Sequence, residues 1–396
     1  VALTGHLSGP NGPVEPGGFD FQRMAWFRGI GAVGYTRTPV MLLAPPDRSG
    51  AYVQVTRVRM AIANWVRGIL PGEAGAFAAA VTTGDRSAMG QDTLAALRGA
   101  NLAHLLAISG LHVGILCMFV LRILNWLLVE RRRALLLTLL IAVVYAFVTD
   151  LRPSVLRATL FFAVFVAAQL LQRRQSMAGL ISVTALVMLV WQPQLVFETG
   201  AWLSFLSVAA LGWVDAKSSA GIENKDAPLD ALTLRERVTD TAGRFWKWLM
   251  YRYRQMLAVL ALTTPIVATT FHVVSPVGLV VNVLLIPATA FVLCCGFVTL
   301  FAGLLLPSMA FLPGVAFSHS QQALMSIVEL SSQVNFGHLY VAGFPAWFVP
   351  AYYLLVLTVL SATSRRRRLV AVVGVFVCVV AAFASGDRQE IDNSLR

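Results

Sequence analysis

The sequence predicts an all-α polytopic membrane protein with about ten transmembrane helices, some of them broken or kinked. Of the 396 residues, 57% are hydrophobic and 13% are charged, and this charged fraction is about half that of a soluble domain. The apolar residues are gathered in long runs, such as Leu135–Val148 and Leu369–Ala384. Runs that reach about 18 residues with their flanks are typical of membrane-spanning helices.

A small extracytoplasmic region, partly β and partly amphipathic helix, is expected before the membrane domain. Residues 1–50 are rich in Gly and Pro and alternate in places, as in Gly34–Thr38, so we expect loops and strands at the end of a small β region. Because the chain starts at Val1 and not at Met, we expect it to be part of a longer protein.

Residues 51–102 are predicted to form helices at the membrane surface. Apolar residues recur at helical spacing over 52–70, with three arginines between them, and Pro71 follows. This pattern predicts an amphipathic helix that ends before the proline. Two shorter helices are expected around 73–81 and 91–99.

The membrane domain is predicted over residues 103–386, with a charged, helical cytoplasmic loop at about 215–249 and a tail at 387–396. Single spans are expected near 103–129, 134–150, 153–171, 177–192, 199–214, 250–271, 277–306, 310–334, 346–364 and 369–385.

The distribution of charge predicts the orientation of these spans. If each span crosses once, one side receives nearly all of the basic residues, and the other receives Asp150–Arg152 and Glu198. The positive-inside rule puts the basic side in the cytoplasm. Both ends of the chain then lie outside it. The basic groups on that side are Arg131–Arg133, Arg173–Arg174, the 215–254 segment and Arg365–Arg368.

Two predicted spans are unusual. Asn282 and Pro287 interrupt the span at 277–306, and a proline removes a backbone donor, so we expect a kinked or broken helix there. The span at 310–334 is rich in Ser, Gln and His. It is expected either to face a wet interior or to lie along the membrane surface.

The cysteines and histidines predict no metal centre. The four cysteines all lie in apolar runs and form no CxxC pattern, so neither a disulfide nor a metal is implied. The arginine-rich charge of +12 has two explanations, because basic residues both orient membrane helices and hold phosphates. No cofactor is expected.

The most distinctive string of residues runs from His104 through Ser109 and Gly110 to His112 and Gly114. On one helix, the two histidines and the serine would share a face. One hypothesis is a polar wall that faces a water-filled path. The alternative is that Ser and Gly permit close helix packing while His caps or bridges helices.

Three further strings also carry candidate residues. Pro153 suits the first turn of a helix, and Arg152 is a candidate interfacial anchor. Arg157 lies about one turn inside the helix, either snorkelling to the interface or lying on a phosphate path. Gly200 and Ser204 open a later span. Asn282 and Pro287 belong to the interrupted span.

The order of these strings resembles the ComEC family of DNA-uptake competence proteins. The resemblance covers about residues 14–300, including Pro16–Asp20, although Ala201-Trp202 stands where the family often has Phe-Gln. The matching motifs are Gly84–Ser87, Leu105–Gly114, Pro153–Ala158, Gly200–Leu206 and Ser275–Pro287.

The resemblance implies a channel that moves single-stranded DNA across the bacterial cytoplasmic (inner) membrane. It identifies residues 1–50 as the remnant of an OB-like domain. It also implies partners: a DNA receptor outside, and a DNA-translocating ATPase or single-strand-binding proteins inside. The candidate path residues are Ser109, Gly110, His112, Arg152, Arg157, Ser204 and Asn282, with Pro153, Gly200 and Pro287 shaping the helices.

Two other functions are weighed against the channel. A secondary transporter of a small solute would also use broken helices. An intramembrane serine hydrolase would use Ser109 as nucleophile and a histidine as base, but there is no GxSxG-type elbow, and a Ser and a His three apart on one helix rarely reach good geometry. No HxHxDH string is present, so the nuclease domain that ends many family members is not expected in this chain, nor is enzyme activity.

Overall fold

The computed structural model confirms the all-α fold class. Helices account for most of the chain, and the strands of the described residues form two short antiparallel pairs. The structure describes residues 2–13, 20–27, 29–39, 41, 43, 50–70, 72–94, 108–173, 176–219, 234–274, 276–332, 339–340, 344–345, 347–361 and 364–394.

The N-terminal region contains the predicted β structure. Strand β1 (Gly5–Ser8) pairs antiparallel with β2 (Val33–Thr36), and helix α1 (Phe21–Phe27) lies between them in sequence. Of the Pro16–Asp20 segment, only Asp20 falls within the described residues, and its carboxylate accepts a hydrogen bond from the backbone of Arg23. The OB-like identity of this region stays a prediction.

The predicted amphipathic helix is confirmed as α2 (Ala51–Ile69), and the next helix is α3 (Gly72–Thr83). Helix α3 is buried from Gly75 to Thr83. It is too short to cross a bilayer, and helices of 10–14 apolar residues are typically buried or re-entrant. The second short helix predicted at 91–99 lies largely outside the described residues.

The next five helices match five predicted spans in order and are joined by short turns. The turns include left-handed residues such as Leu128, Asp150 and Leu151, and a 3₁₀ helix precedes the fifth. The helices are α4 (Gly110–Trp126), α5 (Arg131–Val148), α6 (Pro153–Leu170), α7 (Met177–Trp191) and α8 (Thr199–Ser219).

The remaining helices also follow the predicted order. Strands β3 (Val273–Val274) and β4 (Leu339–Tyr340) form a second small ribbon. The helices are α9 (Leu234–Phe271), α10 (Pro276–Leu305), α11 (Phe311–Ser332), α12 (Phe348–Ser361) and α13 (Arg365–Ser394).

Small residues allow these helices to pack closely. A Cβ atom on Gly303 of α10 would lie 2.8 Å from the ring of Trp65 in α2, and one on Gly374 of α13 would lie 3.0 Å from Leu355 in α12. Small residues at helix contacts are characteristic of membrane proteins, in which close van der Waals packing replaces the hydrophobic effect. The largest buried core joins α2, α3, α4, α5, α6, α10 and α11.

Membrane crossing is supported for part of the chain. Among the described residues, three helices are long and apolar enough to span a membrane: Pro153–Leu170, Trp246–Phe271 and Leu284–Leu305. Four shorter apolar helices accompany them, at Gly110–Trp126, Met177–Trp191, Phe348–Val359 and Leu369–Ala382. A count of about ten spans therefore stays a prediction.

One predicted boundary is wrong, and one predicted break is absent. A helix continuous from 103 is not present, because Ile108 and Ser109 are not helical and α4 begins at Gly110. Helices α8 and α9 extend into the predicted helical loop at 215–249 from both sides, and α13 continues through most of the 387–396 tail. The location of both segments outside the membrane stays a prediction. No break occurs at Pro287, since α10 runs through it; one proline removes only one backbone donor.

The polar segment predicted at 310–334 is confirmed as a helix, α11. Its polar residues do not share one environment: Gln321 and Ser331 are buried, whereas His319 is exposed and its Nδ1 lies 2.9 Å from the carbonyl of Val315 one turn earlier. Whether α11 crosses the membrane or lies on it stays open between the two predicted alternatives.

Candidate functional site

Ser109 and His112 form the start of α4. Ser109 is the N-cap, and the two residues form a capping box. The backbone N–H of Ser109 donates to Nδ1 of His112 at 3.2 Å, and the Ser109 hydroxyl lies 3.1 Å from the same nitrogen. A capping box satisfies backbone donors that the first helical turn leaves without partners. The pair therefore fixes where the helix begins.

The other nitrogen of His112 has no such partner. The side chain is only 1% exposed, and its Nε2 has no hydrogen-bond partner among the described residues. Because Nδ1 accepts a backbone N–H, the neutral ring carries its hydrogen on Nε2. A buried donor without an acceptor costs about 1–3 kcal/mol. His112 thus caps its helix, as the packing alternative predicted, and a role on a DNA path stays a prediction.

Helix α6 begins directly beside α4. Pro153 occupies the first turn of α6, as predicted. The Ser154 hydroxyl donates to the carbonyl of Ile108 at 2.6 Å, and a Cβ on Gly110 would lie 3.3 Å from the Cβ of Ala158. Glycine at position 110 therefore allows the starts of the two helices to touch.

Arg152 joins the start of α6 to the loop after α3. Its Nη2 donates to the carbonyl of Gly84 at 2.9 Å. Gly84 has φ +80°, and a Cβ there would lie 2.6 Å from that guanidinium nitrogen. Both the left-handed backbone and the close approach require glycine. The motifs Gly84–Ser87 and Pro153–Ala158, far apart in sequence, therefore meet in space.

Two ion pairs flank this contact. Arg67 of α2 pairs with Asp85, whose carboxylate also accepts the backbone N–H of Ser87 at 3.0 Å. Burial alone would raise the pKa of Asp85, but the hydrogen bonds from Ser87 and the charge of Arg67 outweigh it and hold the pKa below its usual value. Arg59 of α2 pairs with Asp150 at 3.0 Å.

Arg157 joins α6 to α8. Its side chain is 8% exposed, its Nη2 donates to the carbonyl of Gly200 at 3.1 Å, and its Nε has no hydrogen-bond partner among the described residues. Glu198, just before α8, interacts with it electrostatically. The guanidinium is therefore held at the start of α8, and both alternatives for Arg157, snorkelling and a phosphate path, stay predictions.

Gly84, Ser109, Arg152, Arg157 and Gly200 form one cluster at the starts of α4, α6 and α8. Two of the seven path candidates and one helix-shaping proline lie outside it. Ser204 and Asn282 are half-buried, and no hydrogen bond within the described part of the chain joins either to the arginines. Leu285, one turn after Asn282, is fully buried in the core that also holds Ile108. Pro287 is exposed, whereas His104 and Ser275 lie outside the described residues.

Sequence reasoning missed the contacts that organise the cluster. Ser154, Arg67 and the carbonyl of Gly84 were not candidates, yet they connect α2, α3, α4 and α6. The only available signal was that several motifs occur together in one order. No group of three or more His, Cys, Asp or Glu that could hold a metal occurs in the described parts of the chain.

The protein-family model described as "Competence protein" matches residues 81–366. "ComE operon protein 3" of Bacillus subtilis (strain 168) is 30% identical over 308 residues, which are 78% of this chain and 36% of that relative. The chain thus spans about a third of the relative's length. No solved structure gives a significant match. The matched region contains the whole cluster of Gly84, Ser109, Arg152, Arg157 and Gly200.

Proposed function

Since this chain belongs to the ComEC family of competence proteins, we propose that it forms a channel through which single-stranded DNA crosses the bacterial cytoplasmic membrane during natural transformation. In this proposal the strand enters at the cluster formed by the starts of α4, α6 and α8. The chain itself catalyses no reaction.

The partners of the two cluster arginines are the observation that carries the proposal. Arg152 and Arg157 donate to backbone carbonyls, those of Gly84 and Gly200. Among the described residues, neither forms an ion pair within 4.0 Å. A carbonyl orients a guanidinium without neutralising it. Arg152 therefore keeps its positive charge for a phosphate, and Glu198, which forms no ion pair within 4.0 Å with any described residue, only partly offsets the charge of Arg157.

The helix starts add to this positive potential. Ser154 links the start of α6 to that of α4, and Arg157 links it to that of α8. Each helix N-terminus carries about half a positive charge, which favours phosphate, although the capping box already satisfies backbone donors at the start of α4. Two arginines and three helix starts attract a strand, and a channel must not bind so tightly that transport stops.

The proposal includes a topology and partners. The helix starts face the outside of the cell, as do both ends of the chain, and the basic loops lie in the cytoplasm. A DNA receptor delivers the strand from outside. A DNA-translocating ATPase or single-strand-binding proteins receive it inside. The strand carries a negative charge at every nucleotide, which matches the basic inner loops.

One observation favours the serine hydrolase alternative, and two oppose it. Ser109 Oγ lies within hydrogen-bond distance of His112 Nδ1, closer than sequence reasoning expected, because Ser109 precedes the helix. However, that nitrogen already accepts a backbone N–H, and no carboxylate in the described structure orients Nε2. A catalytic base needs such an orienting group. Labelling of Ser109 by a fluorophosphonate would support the hydrolase.

The test is DNA uptake in a competent host that carries the full-length protein. His112→Ala removes the cap and the ring, whereas His112→Gln retains a side-chain acceptor at the third helical position. Thr184→Val serves as the matched control, since Thr184 is equally buried with an unpartnered hydroxyl on α7, outside the cluster. DNase-protected labelled strand in the cytoplasm is measured at equal membrane protein level.

Loss of uptake in both His112 variants, with normal uptake in Thr184→Val, supports a DNA path beside His112. Normal uptake in His112→Gln would show that His112 serves only to cap α4. A strain that lacks the protein and still takes up DNA at the normal rate would refute the channel. Uptake of a radiolabelled solute in the absence of DNA would favour the small-solute transporter.

A further inference from the structure

A groove runs along the face of α4 that points toward α6, at the edge of the buried core that contains Val113 and Cys117. Its volume is about 430 Å³. The α4 residues that line it recur at helical spacing from the first turn to the last, and α6 contributes two residues. They are Gly110, Val113, Gly114, Cys117, Met118, Leu121, Arg122 and Asn125 of α4, with Ala158 and Phe162 of α6.

The two helices approach closely at their starts and leave open space beside Gly114. At the starts of the helices, a Cβ on Gly110 would meet Ala158 at 3.3 Å. One turn further along, a Cβ on Gly114 would meet no atom within 4 Å. The absence of a side chain at position 114 therefore opens the middle of the groove, and Phe162 forms its far wall.

The lining is apolar except at one end. Arg122 and Asn125 lie on consecutive turns near the end of α4. Arg122 is exposed, and no hydrogen bond or ion pair to it occurs within the described residues. Trp126, 82% exposed, follows at the last turn, and tryptophan is enriched where a membrane meets water. The charged end of the groove thus lies at a membrane interface.

The spacing of charge decides between two kinds of occupant. The groove extends over about 22 Å, from 15 residues at 1.5 Å each. A stacked nucleic acid strand has one phosphate per about 3.4 Å, so about six phosphates would lie beside one arginine. A phospholipid has its charge at one end and an apolar remainder. The distance from Gly114 to Arg122, about 12 Å, is close to the apolar depth of one leaflet, about 15 Å.

We propose that this groove binds one anionic phospholipid, with an acyl chain along Gly114 and Phe162 and the phosphate on Arg122 and Asn125. The site lies outside the cluster of Ser109, Arg152 and Arg157, and it does not depend on DNA transport.

The proposal is tested by native mass spectrometry of the purified chain, equilibrated with equal amounts of phosphatidylglycerol and phosphatidylcholine. Arg122→Gln removes the charge, and Gly114→Leu fills the groove. Arg132→Gln is the matched control for charge, because Arg132 is exposed but outside the groove. Gly68→Leu is the control for size, because a Cβ on Gly68 also meets no atom within 4 Å.

The wild-type chain and both controls are expected to retain phosphatidylglycerol in preference to phosphatidylcholine. Arg122→Gln should reduce that preference about fivefold, the effect of one basic residue near a membrane surface, and Arg122→Lys should restore most of it. Gly114→Leu should release both lipids. If Gly114→Leu does not fold, Arg122→Gln and Arg122→Lys alone test the proposal, because the Arg122 side chain is exposed and its replacement should not disturb folding.

Three results would overturn the proposal. The first is an unchanged preference in Arg122→Gln. The second is equal retention of the two lipids by the wild-type chain. The third is a dimer that carries no lipid and dissociates in Gly114→Leu, which would identify a second copy of the chain as the occupant.

Discussion

Replacement of Arg157 by methionine should reduce DNA uptake and leave the stability of the protein nearly unchanged. Arg157 donates one hydrogen bond, to Gly200, and its Nε has no partner among the described residues. Loss of a hydrogen bond from a charged group costs about 1.5–3 kcal/mol. An arginine in a membrane helix costs about 2.5–3.5 kcal/mol by insertion scales. The two terms nearly cancel, so Arg157→Met should change the free energy of unfolding by no more than about 2 kcal/mol.

Uptake should respond differently, because methionine fills the space without carrying charge. We expect Arg157→Met to reduce DNase-protected DNA in the cytoplasm at least tenfold, with a normal membrane level and a thermal midpoint near that of the wild type. Arg37→Met is the control, since Arg37 is exposed and lies outside both the cluster and the basic inner loops. Normal uptake in Arg157→Met would show that the charge is not needed, and Arg157 would be only a tie between α6 and α8.

Three further predictions concern the contacts around the cluster. Gly84→Ala should destabilise the protein by about 1–2 kcal/mol, because Gly84 has a left-handed φ of +80°. The destabilisation of the double variant with Arg152→Ala should be less than the sum of the two single effects. Additive effects would contradict the contact between Gly84 and Arg152. Ser154→Ala should cost about 1 kcal/mol through the lost bond to Ile108, and an unchanged thermal midpoint would refute this. Because the folded pKa of Asp85 lies below its usual 3.8, its stabilising contribution is full above about pH 4 and is lost as the pH falls through the folded pKa. Asp85→Asn should flatten that part of the stability profile, measured between pH 6 and 3, and an unaltered slope would exclude Asp85 as its origin.

Local signals in the sequence predicted much of the fold. Pro153 indicated the start of α6, and the structure has it in the first turn. The spacing of apolar residues before Pro71 predicted α2, which ends at Ile69. These predictions succeed because proline geometry and helical periodicity act within one or two turns of the chain.

Contacts between distant residues could not be predicted in this way. The bonds from Arg152 to Gly84 and from Arg157 to Gly200 join residues 68 and 43 positions apart. Their acceptors are backbone carbonyls, which every residue has, so no side-chain pattern marks them. The start of α4 was misplaced for a related reason: a Ser and a His three apart suit a helix interior as well as a capping box, and only the backbone at Ser109 distinguishes them.

The four arginines around the cluster fall into two pairs, which differ in the charge of their partners. On α2, Arg59 and Arg67 face the carboxylates of Asp150 and Asp85, so their charges are neutralised and they hold α2 in place. On α6, Arg152 and Arg157 face carbonyls and retain their charge. If the second pair served only to hold helices together, uncharged donors of similar length would serve as well, at a lower cost of burial. The charge retained where three helix starts meet therefore supports the proposal that an anionic strand passes there.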